Sequence, residues 1–146
     1  MENIWSVLCS KGIVDQRTSM VSLIDTLDAL DIEGDPPSVD SQNPVLIGPT
    51  SIHLVSFWYR SDNNKPETGK CRYILVAPDG EEFGQQEVEI DLENTPSKHL
   101  IIGIPALQYV GLGYYYFLVE KMDQGENRWS RTARLPLLVR SQTKKD

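Results

Sequence analysis

The chain has 146 residues, 40% of them hydrophobic, and sets fourteen Lys and Arg against twenty-one Asp and Glu for a net charge of −7. That length fits one domain whose core needs no metal or disulfide, and the negative balance disfavours nucleic acid and anionic membrane surfaces as partners. No run approaches the ~18 apolar residues of a membrane span, and the first ten residues lack a basic, apolar leader pattern, so the expected location is the cytoplasm.

Taken in order, Ile4 to Leu8 is a short apolar run, broken at Ser10-Lys11-Gly12 before Ile13-Val14, which reads as two edge segments or a hairpin. Asp15 to Thr18 is a polar turn. Ser19 to Leu30 is ambiguous: Met20, Leu23, Ile24, Leu27 and Leu30 suit a helix, whereas Val21, Leu23 and Leu27 suit a strand. The prolines and acids between Asp31 and Thr50 forbid a long regular element, so that segment is a surface loop or crossover. Ile52 to Arg60 is a strong strand, apolar on both faces as a central strand is.

Cys71 to Ala77 is the next strand. Pro78-Asp79-Gly80 turns it tightly, because Pro fixes φ and Gly supplies positive φ. In the return strand Val88, Ile90 and Leu92 alternate with Glu87, Glu89 and Asp91, the pattern of an edge strand with one wet face. Leu100, Ile102 and Ile104 alternate up to Pro105, Tyr114 to Lys121 is aromatic and apolar, and the Gly125 turn sends the chain back through Trp129 to Val139 as a hairpin. These strands and turn signals predict an all-β fold, an antiparallel immunoglobulin-like β-sandwich of seven or eight strands, with a small barrel as the alternative. Residues 1–140 form the single domain and residues 141–146 a flexible tail.

The glycines of Gly111-Leu112-Gly113 are followed by a strand rather than a helix, so they serve a corner and not a phosphate. Tyr115 is then the candidate for a tyrosine corner, or a plain core residue, and it shares a face with Phe117 and Val119. The opposite alternation, Tyr114, Tyr116 and Leu118, forms an interaction face unless the 31–50 crossover or the N-terminal segment covers it.

The signals for chemistry are weak. His53 and His99 show no metal-ligand spacing, and no Cys-x-x-Cys or His-Glu-x-x-His pattern exists. Asp31, Glu33, Asp35 and Asp40 share one loop but lack the calcium-hand spacing. Cys71 with either His is a nucleophile pair only if folding brings them together. Cys9 and Cys71 are expected as buried thiols in a reducing compartment. No cofactor, metal site or catalytic residue is therefore expected, and the chain reads as a non-enzymatic protein-interaction or accessory module whose partner is another protein or a second copy. The alternative is a small carbohydrate-binding module using Trp5, Trp58 or Trp129.

Cys9, Asp15, Thr18, Ser22, Leu23 and Ile24 near the start, with Gly111, Leu112, Gly113, Tyr115, Phe117 and Val119 near the end, resemble a family of small bacterial proteins of unknown function. Its members open on a C-D-x-V-V-V-D-x-x-T-G-x-L-S-L-I type segment and close on a G-L-G-x-Y-x-F-x-V hairpin. The resemblance spans most of the chain. Ser10 and Ser19 depart from it, and the 31–50 segment falls outside it. It implies a cytoplasmic bacterial β-sandwich and a strand over Ser19–Leu30, and it transfers no activity and no site residues.

Overall fold

The computed structural model describes residues 1–39, 45–48 and 51–142. Its elements are all strands: β1 (Glu2–Val14), β2 (Val21–Thr26), β3 (Ala29–Glu33), β4 (Leu46–Ile47), β5 (Ile52–Tyr59), β6 (Glu67–Val76), β7 (Glu82–Leu92), β8 (Ser97–Ile104), β9 (Leu107–Gln108), β10 (Gly113–Asp123) and β11 (Ser130–Gln142). The fold is all-β. One sheet has the order β2-β1-β5-β8, a second has the order β3-β11-β10-β6-β7, and β4 pairs with β9 apart from both.

Alternation explains how the two larger sheets meet. Ile52, Leu54, Ser56 and Trp58 of β5 are fully buried. They share one core with Cys71 and Tyr73 of β6, Ile90 and Leu92 of β7, Tyr115, Phe117 and Val119 of β10, and Leu137 and Val139 of β11. β5 occupies the central position that its two apolar faces predict. β7, with its row of carboxylates, is an edge strand. The Pro78-Asp79-Gly80 turn closes through the Gly80 N–H on the Ala77 carbonyl at 2.9 Å, with Gly80 at φ 91°.

Three departures from the sequence reading have physical causes. β1 does not stop at Ser10-Lys11-Gly12 but runs on to Val14, pairing with β5 up to Cys9 and with β2 beyond it. Val7 lies opposite Val55, and yet Gly12, five residues further on, returns to Val55: an ideal Cβ at Gly12 would sit 2.7 Å from Val55 Cγ2. Five extended residues span ~16 Å, so β1 bends back over the outer face of its sheet, and the glycine is there for close approach. Secondly, the Ser19–Leu30 segment carries β2 and the start of β3, strand as expected from the resemblance, but β3 enters its sheet parallel to β11, making that sheet mixed rather than purely antiparallel. Arg140 donates to Asp31 at 2.6 Å across this parallel pair. Thirdly, Ser141 and Gln142, placed in the tail by sequence, belong to β11, and Ser141 Oγ donates to the Gly34 carbonyl at 2.6 Å. The remaining tail positions, 143–146, lie outside the described residues.

A compact ionic cluster joins the start of β1 to β6 and β10. The Met1 ammonium lies 2.7 Å from Glu67 and 3.1 Å from Asp123, and Lys121 bonds both Asp123 and the Met1 carbonyl. Burial alone would raise the Glu67 pKa, but hydrogen bonds from the Met1 ammonium and from the Ser61 and Asp62 N–H groups outweigh it and lower the value to about 2. A carboxyl depressed in this way stabilises the fold fully above its unfolded value and ceases to as pH falls toward the folded value. Urea denaturation from pH 6 to pH 2 is therefore expected to show stability falling with acidification, and the Glu67→Gln variant is expected to be less stable at pH 6 and to lose less on acidification. Parallel pH profiles for the two proteins would contradict this role for Glu67.

Candidate functional site

β10 presents two different faces. Tyr115, Phe117 and Val119 point into the core, and the Tyr115 hydroxyl accepts from the Val110 N–H at 2.8 Å and donates to the Gly111 carbonyl at 3.0 Å. This is the tyrosine-corner arrangement, with Gly111 and Gly113 both at positive φ in the corner it closes.

On the other face Tyr114 is 50% exposed and Tyr116 partly buried, their rings stacked 6.2 Å apart. Among the described residues neither β1, which lies in the other sheet, nor the 31–50 crossover covers Tyr114. Leu118 shares this alternation but is only 4% exposed, so, unlike Tyr114, it offers little contact surface to a partner. It lies opposite Ile74 of β6 and Arg134 of β11. The Arg134 guanidinium lies 3.6 Å over the Tyr116 ring. Further along, Arg72 packs 4.5 Å over the Trp129 ring and bonds Glu120 at 2.6 Å, while Arg131 approaches the same carboxylate at 3.5 Å. Cation–π contacts of this kind are worth ~0.5–1 kcal/mol at exposed sites, and here they also hold long side chains in place. The sequence showed the tyrosines, but the arginines come from β6 and β11, and the pairing of β10 with β11 includes a bulge between Val119 and Glu120.

The other sequence candidates do not converge. His53 Nδ1 accepts the Gly12 N–H at 2.9 Å, and His99 stacks on Phe57 at 4.4 Å, where burial lowers its pKa. Cys9 Sγ donates to the His53 carbonyl rather than to an imidazole, and its pKa is raised by burial. Cys71 Sγ donates to the Tyr73 hydroxyl at 3.4 Å, and burial pushes that thiol up to about 11, far from a nucleophile's range. Both cysteines are free and buried. Among the described residues no group of three or more His, Cys, Asp or Glu side chains is placed to hold a metal. Asp31 is held by Arg140, Glu33 lies in β3, Asp35 is exposed, and Asp40 lies outside the described residues. A cleft of about 460 Å³ gathers Glu89, Asp91, Glu93 and Glu126 around Lys70 without close coordination geometry.

A second aromatic cluster, not legible as a set, lies on the outer face of the β1-β5-β8 sheet. Register places Trp5, Phe57 and His99 side by side, with ring centroids 5.9 Å apart for Trp5–Phe57 and 5.6 Å for Trp5–His99. Tyr59 extends the row, 6.4 Å from Phe57, and all four residues are partly exposed. Of the other tryptophans, Trp58 is buried in the core and Trp129 lies under Arg72. Comparisons with family models, with curated proteins and with solved structures find no match to this chain.

Proposed function

We propose that the chain is an immunoglobulin-like β-sandwich acting as a non-catalytic protein-interaction module in the cytoplasm, of the bacterial kind its opening and closing motifs resemble. In this reading the eight antiparallel strands β1, β2, β5, β6, β7, β8, β10 and β11 are the sandwich, and β3 is an addition at one edge. The tyrosine corner at Tyr115 and the core shared between two sheets support the fold. The two free, buried thiols support a reducing compartment.

The observation that carries the function is the Tyr114–Tyr116 stack with Arg134 over Tyr116, and Arg72 over Trp129 further along the same outer sheet face. Tyr, Trp and Arg are the residue types in which interface energy concentrates. Rings and guanidinium groups already held against one another lose little further side-chain entropy on binding. The partner is a second copy or another protein that meets this face. Sedimentation equilibrium is expected to show self-association, or else bait protein is expected to retain a partner from a lysate of the native host. Replacing Tyr114 and Tyr116 by Ala together should weaken either association at least tenfold, about 1.4 kcal/mol. A monomer whose captured proteins are unchanged in the double variant would contradict the proposal.

The row of Trp5, Phe57, Tyr59 and His99 favours a second reading, a small carbohydrate-binding module in which sugar rings stack on that platform. A glycan panel read by tryptophan fluorescence is expected to perturb Trp5, with the signal removed in Trp5→Phe. An unchanged spectrum across the panel at millimolar sugar would eliminate this reading.

A further inference from the structure

The outer face of the β3-β11-β10-β6-β7 sheet carries a charge pattern that only the register reveals. Arg131 of β11 lies opposite Glu120 of β10, Glu120 opposite Arg72 of β6, and Arg72 opposite Glu87 of β7. Four neighbouring strands thus bear one row of charges that alternates plus, minus, plus, minus. Tyr115, Phe117 and Val119 point inward on β10, as do Val88, Ile90 and Leu92 on β7, so the alternate positions Glu120 and Glu87 point out. Arg72 and Glu120 satisfy each other at 2.6 Å in the middle of the row. Its two ends are open. The Arg131 side chain is 53% exposed and reaches Glu120 only at 3.5 Å. Glu87 is exposed and belongs to no ion pair among the described residues.

An alternating row with an even number of charges is complementary to itself read backwards. Consider a second copy laid face to face on this sheet by a two-fold axis that runs parallel to the strands between β6 and β10. β7 of each copy then lies over β11 of the other, and β6 over β10, an isologous contact between aligned sheets. Every charge in the row meets the opposite sign, and Glu87 of each copy meets Arg131 of the other. The neighbouring rows obey the same operation. Arg134, Leu118, Ile74 and Gln85 lie side by side in the next row, so Arg134 meets the Gln85 amide, and in the row beyond it Tyr116 meets Val76. An axis perpendicular to the strands would instead set the exposed carboxylates of β7 over one another.

We propose that two copies of this chain associate face to face in this arrangement, with Glu87 and Arg131 as the ion pairs formed between them. The inference rests on the reading of the Tyr114–Tyr116 face as an interaction surface, and of the two partners named there it selects the second copy. A net charge of −7 on each copy opposes association at long range. That repulsion is screened over ~8 Å at physiological ionic strength, whereas charges in direct contact across the interface are not. Exposed ion pairs add little binding on their own. The row therefore fixes how the two copies align, and the rings beside it supply contact area.

Sedimentation equilibrium of the full chain is expected to show a dimer. Glu87→Arg and Arg131→Glu, each alone, set like charges over one another twice per dimer and should weaken it at least tenfold. An equimolar mixture of the two variants should recover the affinity, because each end of the row again meets its opposite in the other chain. Altered folding of either chain cannot produce that rescue. Should a reversal fail to fold, as read by its urea midpoint, a short bismaleimide tests the same geometry. It is expected to link Glu87→Cys in one chain to Arg131→Cys in the other, and not Glu87→Cys to itself, the native cysteines being buried. A dimer that withstands both reversals, a mixture without rescue, or self-linking of Glu87→Cys would overturn the inference. A monomer would overturn it too, while capture of another protein that depends on Tyr114 and Tyr116 would leave the broader reading of the face standing. A dimer indifferent to Tyr114→Ala with Tyr116→Ala would overturn both.

Discussion

The structure depends most on one hydrogen bond between the two sheets. Ser56 of β5 and Tyr73 of β6 share a bond of 2.9 Å between hydroxyls, and Trp58 Nε1 donates to the same Ser56 oxygen at 2.8 Å. Ser56, Trp58 and Cys71 are fully buried and Tyr73 nearly so. Burial pushes the Tyr73 hydroxyl well above its usual pKa, so it stays protonated and available as a donor. A buried polar group without a partner costs ~1–3 kcal/mol, and sliding one sheet over the other would strand several of these at once. Among the described residues no buried side-chain nitrogen or oxygen lacks a partner, so the cluster specifies one alignment of the sheets.

That alignment decides which surfaces remain outside. With Trp58 and Leu54 turned inward, the alternate residues of β5 must face away from the core, and Phe57 and Tyr59 meet Trp5 and His99 there. With Tyr115 and Phe117 turned inward, Tyr114 and Tyr116 must face out, where Arg134 crosses from β11. The same geometry leaves β7 and β8 on one side of the core with an apolar trough between them. One core alignment therefore produces two aromatic faces of different character: one carries arginines beside a nearly buried Glu120, the other an imidazole beside a tryptophan.

What the sequence made legible was local. Period-two alternation placed Tyr115, Phe117 and Val119 in the core, put β5 at the centre of a sheet and β7 at an edge, and the glycines before β10 marked its corner. What it hid depended on partners distant along the chain. Gly12 read as a break because its reason, contact with Val55 on another strand, has no local signature. The parallel pairing of β3 with β11 joins Asp31 to Arg140 across 109 positions. Leu118 read as outward and is outward, but its burial comes from neighbours on β6 and β11 that only the register supplies. The role of Ser56 has no local signature, because its partner Tyr73 lies in the opposite sheet.

A double-mutant cycle between Ser56→Ala and Tyr73→Phe, measured by chemical denaturation, tests most directly whether this bond sets the alignment. Coupled groups show interaction energies of ~0.5–3 kcal/mol, and here the combined variant should cost less than the sum of the singles by an amount within that range. Strictly additive losses would mean that Ser56 and Tyr73 act independently, and that packing alone fixes how the two sheets meet.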